Sequence, residues 1–239
     1  MVGAIYVLAG TVKGVIGMGM PTVAMALLAI VIAPVDAAAI MVLPALVTNL
    51  WQMLAGPYLR ALTLRLWPML AGVVVGTLAG TGWLAGIDAG VGRALLGVTI
   101  GLYGLSGLRS LRVAADAASE RWLGPLAGGL TGMINAATGV SVIPAVPYLQ
   151  AIGFEKDELV QALGLFFMAS TVALGLNLAS TAALTLAHGP AATVALVAAL
   201  AGMRLGQIVR ARLDPAAFRR LFFLGLFLLG LALVGRAFV

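Results

Sequence analysis

The chain has 239 residues, of which 62% are hydrophobic and 9% charged, and it carries a net charge of +6. A soluble globular domain has about 25% charged residues, so the composition excludes one and identifies an integral membrane protein. Its basic residues are spread over short connections, which excludes a nucleic-acid surface, and it has no cysteine, which excludes disulfides, thiolate nucleophiles and cysteine-held metals.

In chain order the hydrophobic segments are residues 2–17, 20–33, 37–55, 66–85 and 91–108, then 122–135, 140–152, 159–180, 190–209 and 216–238. A helix needs about 20 apolar residues to cross the hydrocarbon core. The third, fourth, fifth, eighth, ninth and tenth segments meet that length. The first and second are short and are parted only by Gly17-Met18-Gly19-Met20-Pro21. The sixth and seventh are short and are parted by Asn135-Ala136-Ala137-Thr138-Gly139. Glycine and proline at such tips break helices, so each pair reads as a hairpin that either crosses fully or turns back inside the membrane. Met1 to Gly17 reads as part of the first segment, so no cleavable leader is expected.

The ten segments are five segments written twice. Leu8-Ala9-Gly10, Gly14 and Ile16 return as Leu126-Ala127-Gly128, Gly132 and Ile134. Gly76, Gly80, Asp88, Arg93 and Gly104 return, at one constant offset, as Gly202, Gly206, Asp214, Arg219 and Gly230. The expected fold is all-α, with a first transmembrane repeat over 1–109, a cytoplasmic linker over 110–121 and a second repeat over 122–239. Arg60, Arg65, Arg109, Arg112, Arg121, Lys156, Arg210, Arg212, Arg219 and Arg220 fall on one side, and Arg93 and Arg236 on the other. The positive-inside rule makes the first side cytoplasmic. Each half then crosses an odd number of times, so the repeats have inverted topology and both chain ends face the periplasm. Duplicated halves of this kind build many secondary transporters, which bind substrate near the bilayer midplane, and short interrupted segments at matching positions point to the site.

Glycines four apart, at Gly10 and Gly14, Gly72, Gly76 and Gly80, Gly128 and Gly132, and Gly202 and Gly206, are read as packing positions that let helix backbones approach closely in lipid. The eight carboxylates all fall in loops or at segment ends, as does the single histidine, His188. A proton relay or membrane hydrolase needs titratable groups at depth, so an enzyme is not expected, nor a metal or cofactor. Two cations lie within segments: Lys13, read as a substrate ligand with snorkelling as the competing reading, and Arg204, for which snorkelling has the edge. Thr22, Thr48, Asn49 and Gln52 in the first half, and Asn135, Thr138, Ser141, Gln161, Ser170, Thr171 and Asn177 in the second, complete the polar inventory. A cation with amides and hydroxyls and no acid describes a site for a small oxyanion. The candidate binding residues are Lys13, Gly17, Gly19, Thr22, Asn49, Gln52, Asn135, Thr138, Gly139, Ser141 and Arg204.

Gly14-Val15-Ile16-Gly17-Met18-Gly19-Met20-Pro21 resembles the first glycine-rich hairpin of the sulfite exporter TauE/SafE family. Thr131-Gly132-Met133-Ile134-Asn135-Ala136-Ala137-Thr138-Gly139-Val140 resembles its second-repeat counterpart. Pro44 with Thr48-Asn49-Leu50-Trp51-Gln52, Pro144, Pro147-Tyr148-Leu149-Gln150 and Gln161-Ala162-Leu163-Gly164 are similar to one branch of it. The resemblance implies a multi-pass inner-membrane carrier of sulfite, sulfonates such as sulfoacetate, or related anions, and it supplies the substrate class. The function expected is export of such an anion by alternating access. An anion channel and an importer are the alternatives. The partners expected are the anion and the lipid bilayer, with a homodimer left open.

Overall fold

A computed structural model describes residues 1–109, 117–210, 212 and 214–237. The described residues are mostly helical, and no strand occurs among them. The first half has α1 (Val2–Ile16), α2 (Met20–Leu28), α3 (Pro34–Leu54), α4 (Leu59–Ala79), the single turn α5 (Trp83–Gly86) and α6 (Ala89–Leu108). The second has α7 (Ala117–Thr138), α8 (Ala145–Ala151), α9 (Lys156–Ser180), α10 (Gly189–Arg210) and α11 (Pro215–Arg236). Among the described residues six stretches are long and apolar enough to cross a membrane: Pro34–Leu54, Leu59–Gly86, Ala89–Leu108, Lys156–Ser180, Leu186–Arg210 and Ala216–Arg236. They correspond to the six segments of sufficient length in the sequence, and the protein is a multi-pass membrane protein.

Local chemistry sets the helix ends. Pro34 opens α3, with Asp36 in its first turn, where a missing N–H is harmless and a negative charge meets the positive end of the helix dipole. Glu155 and Glu158 form a reciprocal capping box on α9. The repeated aspartates have one job. Asp88 accepts from the Gly90 and Val91 amides at the start of α6, and Asp214 accepts from those of Ala216 and Ala217 at the start of α11. Each satisfies N–H groups that the first helical turn leaves free.

The glycine stripes are where the halves meet. The tightest pairings join α1 to α10, α4 to α7 and α6 to α11, so exchanging the two halves maps the pairing onto itself. A methyl group at Gly10 would run into the Ala199 carbonyl, and one at Gly202 into the Val7 carbonyl. One at Gly128 would strike the Met69 carbonyl, and one at Gly76 the Gly129 carbonyl. Backbone thus lies directly on backbone, the contact that small residues permit in lipid.

Two segment lengths differ from the sequence reading. The sixth segment is not short, because α7 spans 22 residues. Hydropathy falls at Arg121 and Glu120, but the helix runs on through them, and Glu120 is held by Arg65 at 2.6 Å. Residues 117–121 of the expected linker therefore belong to α7, and 110–116, with Arg112 and Asp116, lie outside the described residues. The fourth segment likewise begins earlier, at Leu59, carrying Arg60 and Arg65 on its exposed side. By contrast α2 has nine residues and α8 seven, far below the roughly 20 needed to cross.

Each hairpin returns to where it entered. The second starts beside Arg65, which pairs with Glu120 of α7, and ends there too, since the same guanidinium donates to the Ile152 carbonyl just after α8 at 2.9 Å. The first begins with Gly3 beside Val194, near the start of α10. It ends where Arg93 donates to the Ala29 carbonyl at 2.9 Å and Arg236 to the Ile30 carbonyl at 3.4 Å. Cations at these helix C-termini satisfy carbonyls left without helical partners and favour the dipole.

Candidate functional site

The hairpin tips carry the backbone that the sequence motifs require. Gly17 ends α1 with φ +82°, Gly19 starts α2 with φ +92°, and Gly139 follows α7 with φ +70°, a left-handed region open to glycine at little steric cost. The first tip lies against the second half: a methyl group at Gly17 would meet Val160 of α9, and one at Gly19 the Phe222 ring of α11. The second tip lies against the first half, with Met25 of α2 and Ala38 of α3 beside Gly139.

Lys13 does not snorkel. It projects one turn before Gly17 into the interior and is 3% exposed. Its Nζ donates to Asn49 Oδ1 at 2.5 Å and to Thr48 Oγ1 at 3.2 Å. Both partners are neutral. Pro44, inside α3, removes one helical N–H a turn before Thr48, and Thr48 returns its own proton to the Pro44 carbonyl at 2.8 Å. Asn49 Nδ2 donates across to Thr171 of α9 at 3.2 Å. Gln52, one turn beyond Asn49, ties the hairpin tip to both long helices. Its Nε2 donates to the Gly17 carbonyl at 2.9 Å and to the Val160 carbonyl at 2.7 Å.

A second polar cluster adjoins α9 one residue earlier. Asn135 Nδ2, near the end of α7, donates to the Ser170 carbonyl at 3.2 Å and lies 3.4 Å from both Ser170 Oγ and Thr77 Oγ1. Ser170 donates to Ser141 Oγ at 2.5 Å. Thr138 is turned to local work, donating to the Ile134 carbonyl at 2.7 Å and accepting from the Val140 amide at 3.2 Å. The position matching Lys13 in the second half is Thr131, and its hydroxyl accepts from the Ala145 amide at 3.0 Å, capping α8. The repeat therefore provides one cation and not two.

The structure brings together Lys13, Gly17, Asn49 and Gln52 in one cluster, and Asn135 and Ser141 in the other. Gly19 and Gly139 shape the tips, and Thr22 is buried in the first turn of α2. Arg204 lies apart, exposed on α10, with its guanidinium 5.7 Å from the centre of the Trp51 ring. Thr77 was absent from the sequence inventory because it sits inside the glycine stripe of α4. Its burial at 0% exposure follows from the close crossing with α7. The described carboxylates are all at or near helix ends: Asp36, for example, is 3.3 Å from His188 Nε2. A cleft of about 590 Å³ between the end of α6 and the start of α11 is lined by Gly107, Asp214, Arg219 and Phe223 and includes no residue of either cluster. The site is enclosed by helices.

A family model described as sulfite exporter TauE/SafE matches residues 2–233. The chain belongs to the sulfite exporter TauE/SafE family. No curated protein and no solved structure matches the chain. A TauE/SafE protein is a membrane transporter, and in this one two buried polar clusters adjoin the two broken hairpins.

Proposed function

We propose that this TauE/SafE protein exports a small sulfur-containing or organic anion, such as sulfite or a sulfonate like sulfoacetate, across the inner membrane, with Lys13 as the charge that holds it. The observation that carries the reading is the company Lys13 keeps. A lysine inside a membrane is costly, up to roughly 2.5–3.5 kcal/mol at a helix centre on insertion scales, and Lys13, buried in the last turn of α1, meets only neutral oxygens. An anion in the same place would supply the missing countercharge. Alternating access fits the pairing of helices: the halves are equivalent in pattern, each tip touches the other half, and the residues of the Lys13 cluster are buried. In this reading the repeats are inverted in the bilayer, so the two hairpins enter from opposite faces.

The test is binding of radiolabelled sulfite and sulfoacetate to purified protein. Lys13→Met is expected to remove saturable binding while leaving the protein folded, and Lys13→Arg to retain only part of it, since a guanidinium is larger and planar. Unchanged affinity in Lys13→Met would overturn the reading. Exchange of labelled anion stimulated by unlabelled anion on the far side would separate a carrier from a channel.

A further inference from the structure

Gln52 holds one polar atom that nothing in the protein satisfies. Its Oε1 is buried without a hydrogen-bond partner, and the residue is 6% exposed. The amide orientation is not free to reverse. Nε2 donates to two carbonyls, Gly17 at 2.9 Å and Val160 at 2.7 Å, and carbonyls only accept. The nitrogen must face them, and the oxygen is held on the other side as an acceptor. Most buried polar atoms are paired; among the described residues the Tyr6 hydroxyl is the other buried side-chain atom without a partner.

The residue that carries the orphan atom lies one helical turn from the partner of the charge. Lys13 and Gly17 are four apart on α1, and Asn49 and Gln52 are three apart on α3, so each pair shares a helix face. The bonds Lys13 to Asn49 and Gln52 to Gly17 are therefore successive rungs between the two helices, about 5.4 Å apart along the axis. An ammonium has three N–H groups, and two of those on Lys13 are engaged by Thr48 and Asn49. What the site offers a ligand is one charged donor and, one rung away, one acceptor.

We propose that the cargo is a monoanion carrying a hydrogen of its own. Its charged oxygen takes the remaining Lys13 N–H, and its O–H or N–H donates to Gln52 Oε1. The inference rests on Lys13 being the anion ligand. Hydroxy- and amino-sulfonates and the singly protonated form of a small diprotic oxyacid meet both demands. A dianion, fully ionised sulfoacetate included, or a sulfonate with only an alkyl group leaves Oε1 unpaired, and the dianion adds a second negative charge facing that carbonyl. The cargo proposed above thus narrows to anions that keep a hydrogen, such as hydrogensulfite. Sites built to bond a ligand hydrogen discriminate against the analogue that lacks it, because their own group is then left unsatisfied.

The matched pair for the test is 2-hydroxyethanesulfonate and ethanesulfonate, equal in charge and differing by one hydroxyl. Each is titrated into the full-length protein in detergent, in wild type, Gln52→Met and Lys13→Met, with competition against labelled hydroxysulfonate as the readout. The expected result is at least about tenfold tighter binding of the hydroxysulfonate in wild type, lost binding of both in Lys13→Met, and equal binding in Gln52→Met. Because Gln52→Met also removes two tethers, the wild-type ratio stands as a test on its own. Equal affinities in wild type, both dependent on Lys13, would overturn this inference, assign Oε1 to a bound water and leave the Lys13 site standing. A preference that survives in folded Gln52→Met would likewise overturn it. Binding of neither compound, or binding indifferent to Lys13→Met, would overturn the inference together with the site.

Discussion

Ser170 and Thr171, neighbours on α9, hydrogen-bond to opposite halves of the protein. Ser170 serves Asn135 and Ser141 of the second half, while Thr171 accepts from Asn49 of the first. Successive residues on a helix point about 100° apart, so one helix shows a hydroxyl to each cluster. Any rocking of the halves that moved α9 would disturb both clusters together.

Thr171→Val separates positioning from charge. It removes the acceptor of Asn49 Nδ2 and leaves Lys13 in place. Buried side-chain hydrogen bonds in membrane bundles are worth about 0.6 kcal/mol on average and up to about 1.7, so thermal stability is expected to fall only slightly. Anion affinity is expected to fall by about three- to tenfold, since 1.4 kcal/mol is a factor of ten and Asn49 loses the contact that orients it toward Lys13. Affinity equal to wild type would show that Asn49 is not positioned through α9.

Two substitutions at Gly139 have different consequences. Alanine at φ +70° costs roughly 1–2 kcal/mol of backbone strain, and its methyl group meets the flexible end of Met25 at 3.0 Å. Gly139→Ala is expected to melt lower yet still transport. Gly139→Leu must displace Met25 and Ala38 and is expected to abolish transport while some folded protein remains. Normal flux in Gly139→Leu would remove the second hairpin from the site.

The crossing of α4 and α7 is tested by Gly76→Ala against Gly235→Ala. A methyl group at Gly76 strikes the Gly129 carbonyl, whereas one at Gly235 meets nothing within 4 Å. Overfilling a tight contact costs about 1–3 kcal/mol, so thermal unfolding in detergent should shift down for the first and stay level or rise for the second. Equal behaviour would mean that the helices slide apart freely at this crossing.

Orientation is accessible because the chain has no cysteine, so a single introduced thiol is the only one to label. Leu186, 97% exposed in the turn before α10, and Lys156, exposed at the start of α9, sit at opposite ends of α9 and its following turn. An impermeant maleimide is expected to label Leu186→Cys in intact cells and Lys156→Cys only after lysis. The reverse pattern would invert the positive-inside assignment.

Much of this was legible because lipid punishes exceptions. The six long helices followed from length alone. The glycine pairs followed from spacing, and Asp88 and Asp214 stood out as a repeated acid before their capping role was visible. The polar residues of the Lys13 cluster were legible because amides and a cation in apolar segments need partners. The partners themselves were not: Lys13 lies 36 positions from Asn49, and Asn49 lies 122 from Thr171, separations that no local periodicity encodes. Thr77 was hidden for a similar reason, since a threonine among glycines carries no signal of its own. The arginines illustrate a different gap. Arg65 and Arg93 were read for membrane orientation, yet the structure also sets each against a carbonyl at the end of a hairpin, a role that depends on helix crossings.

The pairing of α1 with α10 has a consequence for biosynthesis. Gly10 rests on Ala199 and Gly202 on Val7, so α1 leaves the ribosome about 190 residues ahead of its partner α10 (Val2–Ile16 against Gly189–Arg210). At synthesis rates of about 5–20 residues per second, α1 waits on the order of 10–40 s with its glycine face bare. A chain cut between the halves would leave each fragment with an unmatched stripe, α1 in one and α10 in the other. Co-expressed fragments should therefore recover one another inside the bilayer, while either fragment alone becomes a substrate for membrane quality control.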